Sequence, residues 1–290
     1  MSSSPPVWLI TGASSGFGLS LALRALEARH RVIGTVRSKA KSAAAVESIV
    51  AKGGKVLEMD TTEPQQGIAA KVKEAEATFG RIDYLVNNAG FSLLGPLQHF
   101  TEAEVKVQFE TNVYGPLFAT QAALAGMRAR RSGLIVNVSS VAGQDSRATT
   151  GLYGSSKFAL EGWSEALAME VAEFGISVLI VEPGAYRTNF LHAARQPDKL
   201  VADDYRGTVV EAGLRKFADM TGKQPGDPDK AVERMFQVIA GEGDAGGLRG
   251  KVLRLVLGMD AVERIETKTK RLLDDVAAAR KLEEASSTAH

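Results

Sequence analysis

Six short runs, nearly all apolar and β-branched, recur along the chain: Val7 to Ile10, Val32 to Val36, Lys55 to Met59, Ile82 to Val86, Leu134 to Val138 and Ile176 to Val181. Between them lie longer stretches rich in Ala, Leu, Glu and Lys, with apolar residues at helical spacing, such as Leu19 to Ala28, Ala69 to Phe79 and Phe158 to Phe174. Strand and helix alternating this often imply parallel neighbours, because a parallel pair needs a crossover connection and a helix supplies it. The runs are apolar throughout rather than in alternation, as strands are when both faces are covered. The expectation is an α/β fold: a doubly wound, seven-stranded, mostly parallel sheet with helices on both faces, in one domain over residues 1–290.

Two segments break the rhythm. Residues 184–227 form a long mixed connection that ends at Pro225-Gly226-Asp227-Pro228. A connection of that length in a compact domain reads as a functional lid. Residues 260–284 form a charged amphipathic helix with Val262, Ile265, Leu272, Leu273 and Val276 on its apolar side. It is expected to lie on the body or on a second subunit.

Composition narrows the function classes. The 290 residues are 44% apolar and 24% charged, enough to bury a full core. Lys and Arg number 35 against 34 Asp and Glu, a net charge of +1 with no basic stripe, so nucleic acid is not an expected partner. There is no cysteine, which rules out disulfides, thiolate zinc sites and Cys nucleophiles. The four histidines (His30, His99, His192 and His290) are too scattered to make a ligand set, so no metal is expected. No stretch approaches the roughly 18 continuous apolar residues of a membrane span, and the start of the chain lacks a basic, apolar leader. A cytoplasmic protein is the expectation.

Directly after the first run comes Thr11-Gly-Ala-Ser-Ser-Gly-Phe-Gly18. A glycine-rich turn between a strand and a helix gathers backbone N–H groups at the positive end of the helix dipole, where a diphosphate can approach closely. The spacing of Gly12, Gly16 and Gly18 is G-x-x-x-G-x-G, not the G-x-G-x-x-G of most dinucleotide folds. Further along, Asn87-Asn88-Ala89-Gly90 closes the fourth run, Asn112 lies in "TNVYG", and Ser139 and Ser140 end the fifth run. Tyr153-Gly-Ser-Ser-Lys157 opens the next helix, and Pro183-Gly-Ala-Tyr-Arg-Thr188 ends the sixth run. This ordered set resembles the short-chain dehydrogenase/reductase family, in its single-domain branch, from Val7 to about Asp260. The resemblance implies a Rossmann-type fold and a nicotinamide cofactor.

Tyr153 and Lys157, spaced i and i+4, share a helix face. A phenol has a pKa near 10, too high for proton transfer at neutral pH, and a neighbouring ammonium favours the phenolate. A lowering by about three units, shared between Lys157 and an oxidised nicotinamide, corresponds to roughly 4 kcal/mol. Tyr153 would then give a proton to a carbonyl oxygen, or take one from an alcohol. Ser140 would hold the same oxygen. Its neighbour Ser139 competes for that role, but strand alternation sends the two to opposite faces, and the match with Tyr153 selects Ser140. By resemblance Asn112 is the fourth catalytic residue, holding a water that links Lys157 to solvent; a side-chain bond stabilising a helix kink is the plainer reading, and both are compatible.

An acidic residue ending the second strand would favour NAD. This chain has Val36 there, then Arg37, with Lys39 nearby. Arg37 can meet a 2′-phosphate with charge-assisted bonds, so NADP(H) is the expected cofactor. The resemblance places the diphosphate over Gly12, Ser14, Ser15, Gly16, Phe17 and Gly18, the adenine amino group at Asp60, and the adenosine ribose beside Asn87. Ala89, Gly90, Pro183, Gly184, Tyr153 and Lys157 complete the cofactor cleft, and Thr188 fixes the carboxamide.

Phe91, Leu93, Leu94, Leu97, Leu152, Tyr186, Phe190 and Leu191 would frame the substrate, with Arg147, Arg187 and His192 as the few charged or titrating neighbours. An apolar wall around one polar point suits a small hydrophobic ketone or secondary alcohol, as in the family's steroid and retinoid reductases. Two rival readings remain: an epimerase or dehydratase on the same scaffold, and a non-catalytic NADPH-sensing or protein-binding module. An unbroken Asn112, Ser140, Tyr153 and Lys157 set counts against the sensor. Long helices over Thr101 to Arg131 and Thr149 to Phe174 suggest a homodimer or homotetramer.

Overall fold

The computed structural model describes residues 4–197 and 203–287. The ends of the expected 1–290 domain, and residues 198–202 of the expected lid, lie outside the described residues. Seven strands form one sheet: β1 (Val7–Ile10), β2 (Arg31–Val36), β3 (Lys55–Glu58), β4 (Tyr84–Asn87), β5 (Gly133–Val138), β6 (Ile176–Pro183) and β7 (Arg254–Leu257). Their spatial order is β3-β2-β1-β4-β5-β6-β7, and every pairing is parallel. The sheet is thus parallel throughout rather than mostly so.

Around it lie α1 (Gly16–Glu27), α2 (Ala43–Ala51), α3 (Gln65–Phe79), α4 (Glu102–Phe109), α5 (Gly115–Arg130), α6 (Gly151–Val171), α7 (Val209–Met220), α8 (Pro228–Ala240) and α9 (Met259–Ser287). The period-two geometry of β1 sorts its side chains into two cores. Trp8 and Ile10 enter one, with Leu21 and Ala25 of α1 and Val232 and Phe236 of α8. Val7 and Leu9 enter the other, with Ile68 and Val72 of α3 and Ala119, Ala123 and Met127 of α5. Trp8 is fully buried, stacked on Phe236 at 5.8 Å and edge-on to Tyr84 at 4.9 Å. Its indole N–H is satisfied by His30 Nδ1 at 3.0 Å, which makes a polar handle tolerable there.

The structure adds three details. The long helix over Thr101 to Arg131 is continuous, with a π-helical turn, Glu110–Tyr114, set between α4 and α5. Close packing accounts for the glycine after that turn: a Cβ on Gly115 would lie 2.5 Å from the Thr61 carbonyl oxygen. The seventh strand, Arg-Leu-Val-Leu, escaped the list of apolar runs because it is short and lies at the sheet edge, with only alternate residues buried. Helix α9 is fastened to the body only at its start, where Ala261 is buried and Arg264 donates to Asp145 at 3.0 Å; from Arg271 to Glu284 every residue is exposed.

Leu85, fully buried between β1 and β5, tests the sheet core. Leu85→Ala is expected to cost about 2–5 kcal/mol, read as a lower urea midpoint with an unchanged m-value.

Candidate active site

Sheet order reverses between β1 and β4, and the loops leaving those two strands open a crevice at their carboxyl ends. The loops are laced together. Thr11 Oγ1 accepts the backbone N–H groups of Asn88 and Ala89, both at 3.0 Å, and the Asn88 amide donates to the Thr11 carbonyl at 3.0 Å. Gly12 sits at φ +68°, and a Cβ there would lie 2.8 Å from Ala89 Cα. Gly12 is therefore demanded by the protein's own packing. A Cβ at Gly18 would collide with the Gly12 carbonyl oxygen, and Gly34 of β2 leaves the room that Ala13 fills.

Helix α1 begins at Gly16, and its N-cap residue Ser15 makes no side-chain capping bond. Ser14 and Ser15 are exposed, so the first turn offers its N–H groups outward. Phe17 meets Tyr186 edge-on at 5.4 Å, and the Thr188 side chain lies 3.6 Å from where a Gly16 Cβ would be. These contacts set the Pro183-to-Thr188 segment against the glycine turn. Pro183 ends β6, and Gly184 is held by Leu257 and by the proximity of Asp260.

Arg37, just past β2, is exposed and has neither a hydrogen bond nor an ion pair among the described residues. Asp60 accepts from the Thr62 backbone at 3.0 Å and hydroxyl at 2.9 Å, so one of its oxygens serves the turn. The side chain of Asn87 faces away from the crevice. It is buried, donating to Asn137 at 2.8 Å and Thr120 at 3.0 Å, which leaves only its backbone for a nucleotide. Alternation foretells this: Asn87 falls on the same face as Leu85, which points into the core.

Helix α6 carries Tyr153 and Lys157 on one buried face. The Ser140 hydroxyl, just past the end of β5, neighbours the Tyr153 hydroxyl and draws its pKa down. Lys157 Nζ donates to the Val138 carbonyl at 2.8 Å and stands 5.8 Å from the Tyr153 ring centre. Gly90 lies over this pair, since a Cβ there would come 3.6 Å from Lys157 Nζ. Ser139 points the other way, donating to Glu161 at 2.5 Å. The two serines part as strand alternation requires.

Burial pushes the Tyr153 phenol up to about 12, against the pull of the Ser140 bond. Burial also brings Lys157 down to about 8, with the Glu161 carboxylate opposing. The expected acidification of Tyr153 by Lys157 is thus not a property of the protein's own groups. Desolvation of the phenolate outweighs an ammonium that faces a carbonyl instead.

Asn112 is wholly buried in the π-helical turn. Its amide donates to the Phe91 carbonyl and to Ser156 Oγ, both at 3.0 Å, and its carbonyl accepts the Phe91 N–H at 3.1 Å. Both side-chain ends are engaged, tying the turn to the Phe91 backbone and to α6. Gln108, one turn earlier, repeats the clamp on Leu93 at 2.8 Å and the Phe91 carbonyl at 2.9 Å. Gln108 was missed, although two amides at i and i+4 are a readable signal.

The lid covers Tyr153. Phe190 lies 5.6 Å from its ring, and Arg195 pairs through its backbone with Ser92 and Leu94. Tyr153 is only 7% exposed. Leu93, Leu94 and Leu152 are buried, whereas Leu97 is 64% exposed and lies against Gly151 at the start of α6. Tyr186 stands on the glycine-turn side, against Phe17. Arg147 and His192 are exposed, and Arg187 donates to the Gln224 carbonyl at 2.7 Å.

The family profile for short chain dehydrogenases matches residues 6–199. The chain belongs to the short-chain dehydrogenases. It is 43% identical over 220 residues to the oxidoreductase claN of Passalora fulva, covering 75% of this chain and 98% of that one. Among solved structures, a short-chain dehydrogenase from Streptomyces avermitilis superposes with a TM-score of 0.84 at 37% identity, covering 98% and 99% of the two chains. A metagenomic short-chain oxidoreductase in complex with NADP gives 0.59 at 34% identity, covering 62% of this chain and 82% of that one. Among the described residues no helix is long and apolar enough to cross a membrane.

A second group of buried charges, unforeseen from the sequence, lies behind Ser139. Glu161, Glu182, Arg254 and Gln144 meet there, with Arg254 Nε 2.8 Å from Glu182 and 3.4 Å from Glu161. Burial, and then the neighbouring Glu161 charge, push Glu182 up to about 8 from 4.5. A carboxyl raised on folding contributes stability that is whole below its unfolded pKa and lost as pH rises through its folded one. The parent's urea midpoint should therefore fall between about pH 5 and about pH 8 by more than that of Glu182→Gln. Parallel curves would refute the shift.

Proposed function

We propose that this protein is an NADP(H)-dependent reductase or dehydrogenase that moves hydride between the nicotinamide and a hydrophobic ketone or secondary alcohol. The observation that carries the reading is the Tyr153–Ser140 hydroxyl pair, with Lys157 buried beneath it, at the carboxyl end of a parallel sheet. The open first turn of α1, the exposed Ser14 and Ser15, and an Arg37 with no protein partner fit a dinucleotide carrying a 2′-phosphate. A related oxidoreductase at 34% identity was solved with NADP, which supports the same choice. Residues Gly12 to Gly18, Asp60, the backbone of Asn87 to Gly90, and Pro183 to Thr188 would hold that cofactor.

The cofactor, when bound, would supply the hydride and, once oxidised, a positive charge. Tyr153, raised to about 12, holds its proton at neutral pH and so enters the reduction as the acid. Ser140 and Tyr153 present two hydroxyls to one substrate oxygen, so the charge that develops there meets donors already oriented. Lys157, brought down to about 8, remains largely an ammonium at pH 7 and stabilises the phenolate that proton donation leaves behind. Leu93, Leu94, Leu152 and Phe190 keep water from this point and favour an apolar substrate. A homodimer or homotetramer through α5 and α6 belongs to the same reading.

Two variants test it. Arg37→Asp should raise the Kd for NADPH roughly 10- to 100-fold, the worth of a charge-assisted bond, and leave NADH binding unchanged or tighter. Equal affinity of the parent protein for both nucleotides would remove the NADP assignment. Tyr153→Phe should bind NADPH normally and lose turnover of a ketone panel by roughly 10²- to 10⁴-fold; retained turnover would mean that another group gives the proton.

A further inference from the structure

Tyr153, Lys157 and Glu161 follow one another at four-residue steps on the buried face of α6. The first two belong to the reaction proposed above. Glu161 is 3% exposed and reaches the opposite strand end. One of its oxygens accepts the Ser139 hydroxyl at 2.5 Å, and the other accepts the Gln144 amide. Ser140 lies between those two residues. A Cβ on Gly143 would overlap the Glu161 carboxylate, so the loop closes onto this side chain with no room to spare. Arg254 of β7 and Glu182 of β6 stand on its far side, and Glu165 joins Arg254 from one turn along α6.

We propose that Glu161 is a positioning residue: it bolts the loop bearing Ser140 to the helix bearing Tyr153, and thereby sets the separation of the two hydroxyls that hold the substrate oxygen. The inference rests on the reading of Tyr153 and Ser140 given above. Its physical basis is that loop and helix have independent origins in the chain. Ser140 follows β5, Tyr153 lies in α6, and the residues between them run through an exposed stretch, Ser146 to Ala148, before Thr149 and Thr150 are buried again. A carboxylate with two acceptor oxygens can take a donor from each flank of Ser140 at once. A glutamine cannot, because one end of its amide is a donor.

The charged and titrating groups facing Glu161 are Lys157 and Glu165 from α6, Glu182 from β6 and Arg254 from β7, with Ser139 and Gln144 as its neutral donors. Arg254 balances one of the two buried carboxyls. Burial and the neighbouring Glu161 hold Glu182 well above the usual carboxylate range, while both Glu161 oxygens accept from the flanks of Ser140.

The test is a double-mutant cycle in steady-state kinetics with NADPH and a hydrophobic ketone. Glu161→Gln is expected to lower kcat roughly 10- to 100-fold, as a small misplacement of a reacting group does, with KM for NADPH held within about twofold. On a Ser140→Ala background the same substitution should cost almost nothing more, because its effect passes through Ser140. Equal losses on both backgrounds, or a kcat within about twofold of the parent, would overturn the proposal. Ser139→Ala removes one tether and keeps the carboxylate. It should lose kcat by a smaller factor, also cancelled by Ser140→Ala, and it carries the test if Glu161→Gln does not fold. Crystal structures of the parent and of Glu161→Gln give a readout free of turnover: Ser140 Oγ is expected farther from the Tyr153 hydroxyl in the variant than in the parent, and an unmoved pair would sink the inference. A parent protein that reduces no ketone would overturn the oxidoreductase reading alone, and the crystallographic distance would still decide the role of Glu161.

Discussion

The lacing of Thr11 and Gly12 to Asn88 and Ala89 is the contact on which the rest depends. It joins the loops leaving β1 and β4 at the point where strand order reverses, and it fixes how wide the crevice between them can be. Gly12 pays no steric penalty at its positive φ, and it lets the two backbones touch. With that seam fixed, α1 starts where its open N–H groups face the crevice, and Gly90 arrives over Lys157. The glycines in this turn serve the protein's own packing first. Room for a diphosphate follows from how the packing is done.

Behind the crevice the chain uses buried polar groups to hold loops rather than to fill a core. Asn112 and Gln108 clamp residues 91–93, Asn87 with Asn137 ties β4 to β5, and Glu161 holds the two flanks of Ser140. Each such group would be costly if left unpaired in a low-dielectric interior, so each favours one arrangement of the backbone over its neighbours. Tyr153 and Lys157 sit in the same dry surroundings, and burial moves both away from the protonation behaviour of free side chains. The environment that orders the site therefore also raises the cost of ionising its phenol.

Much of the fold was legible in the sequence because it follows from short-range rules. The apolar runs gave six of the strands, the glycine turn gave the start of α1, and i, i+4 spacing gave the shared face of Tyr153 and Lys157. What escaped depends on partners distant in the chain. The close packing of Gly115, after the π-helical turn, against Thr61 is one such meeting, and the Glu161 cluster, which draws on β5, α6, β6 and β7, is another. No periodicity within one segment announces such meetings. The inward side chain of Asn87, by contrast, follows from alternation with Leu85 in the same strand.

The backbone pairing of Arg195 with Ser92 and Leu94, together with Phe190 against Tyr153, shuts the reaction point from above. On the proposed reading a substrate would reach Tyr153 past this pairing, so its two backbone hydrogen bonds bear on access as well as on the fold of the loop.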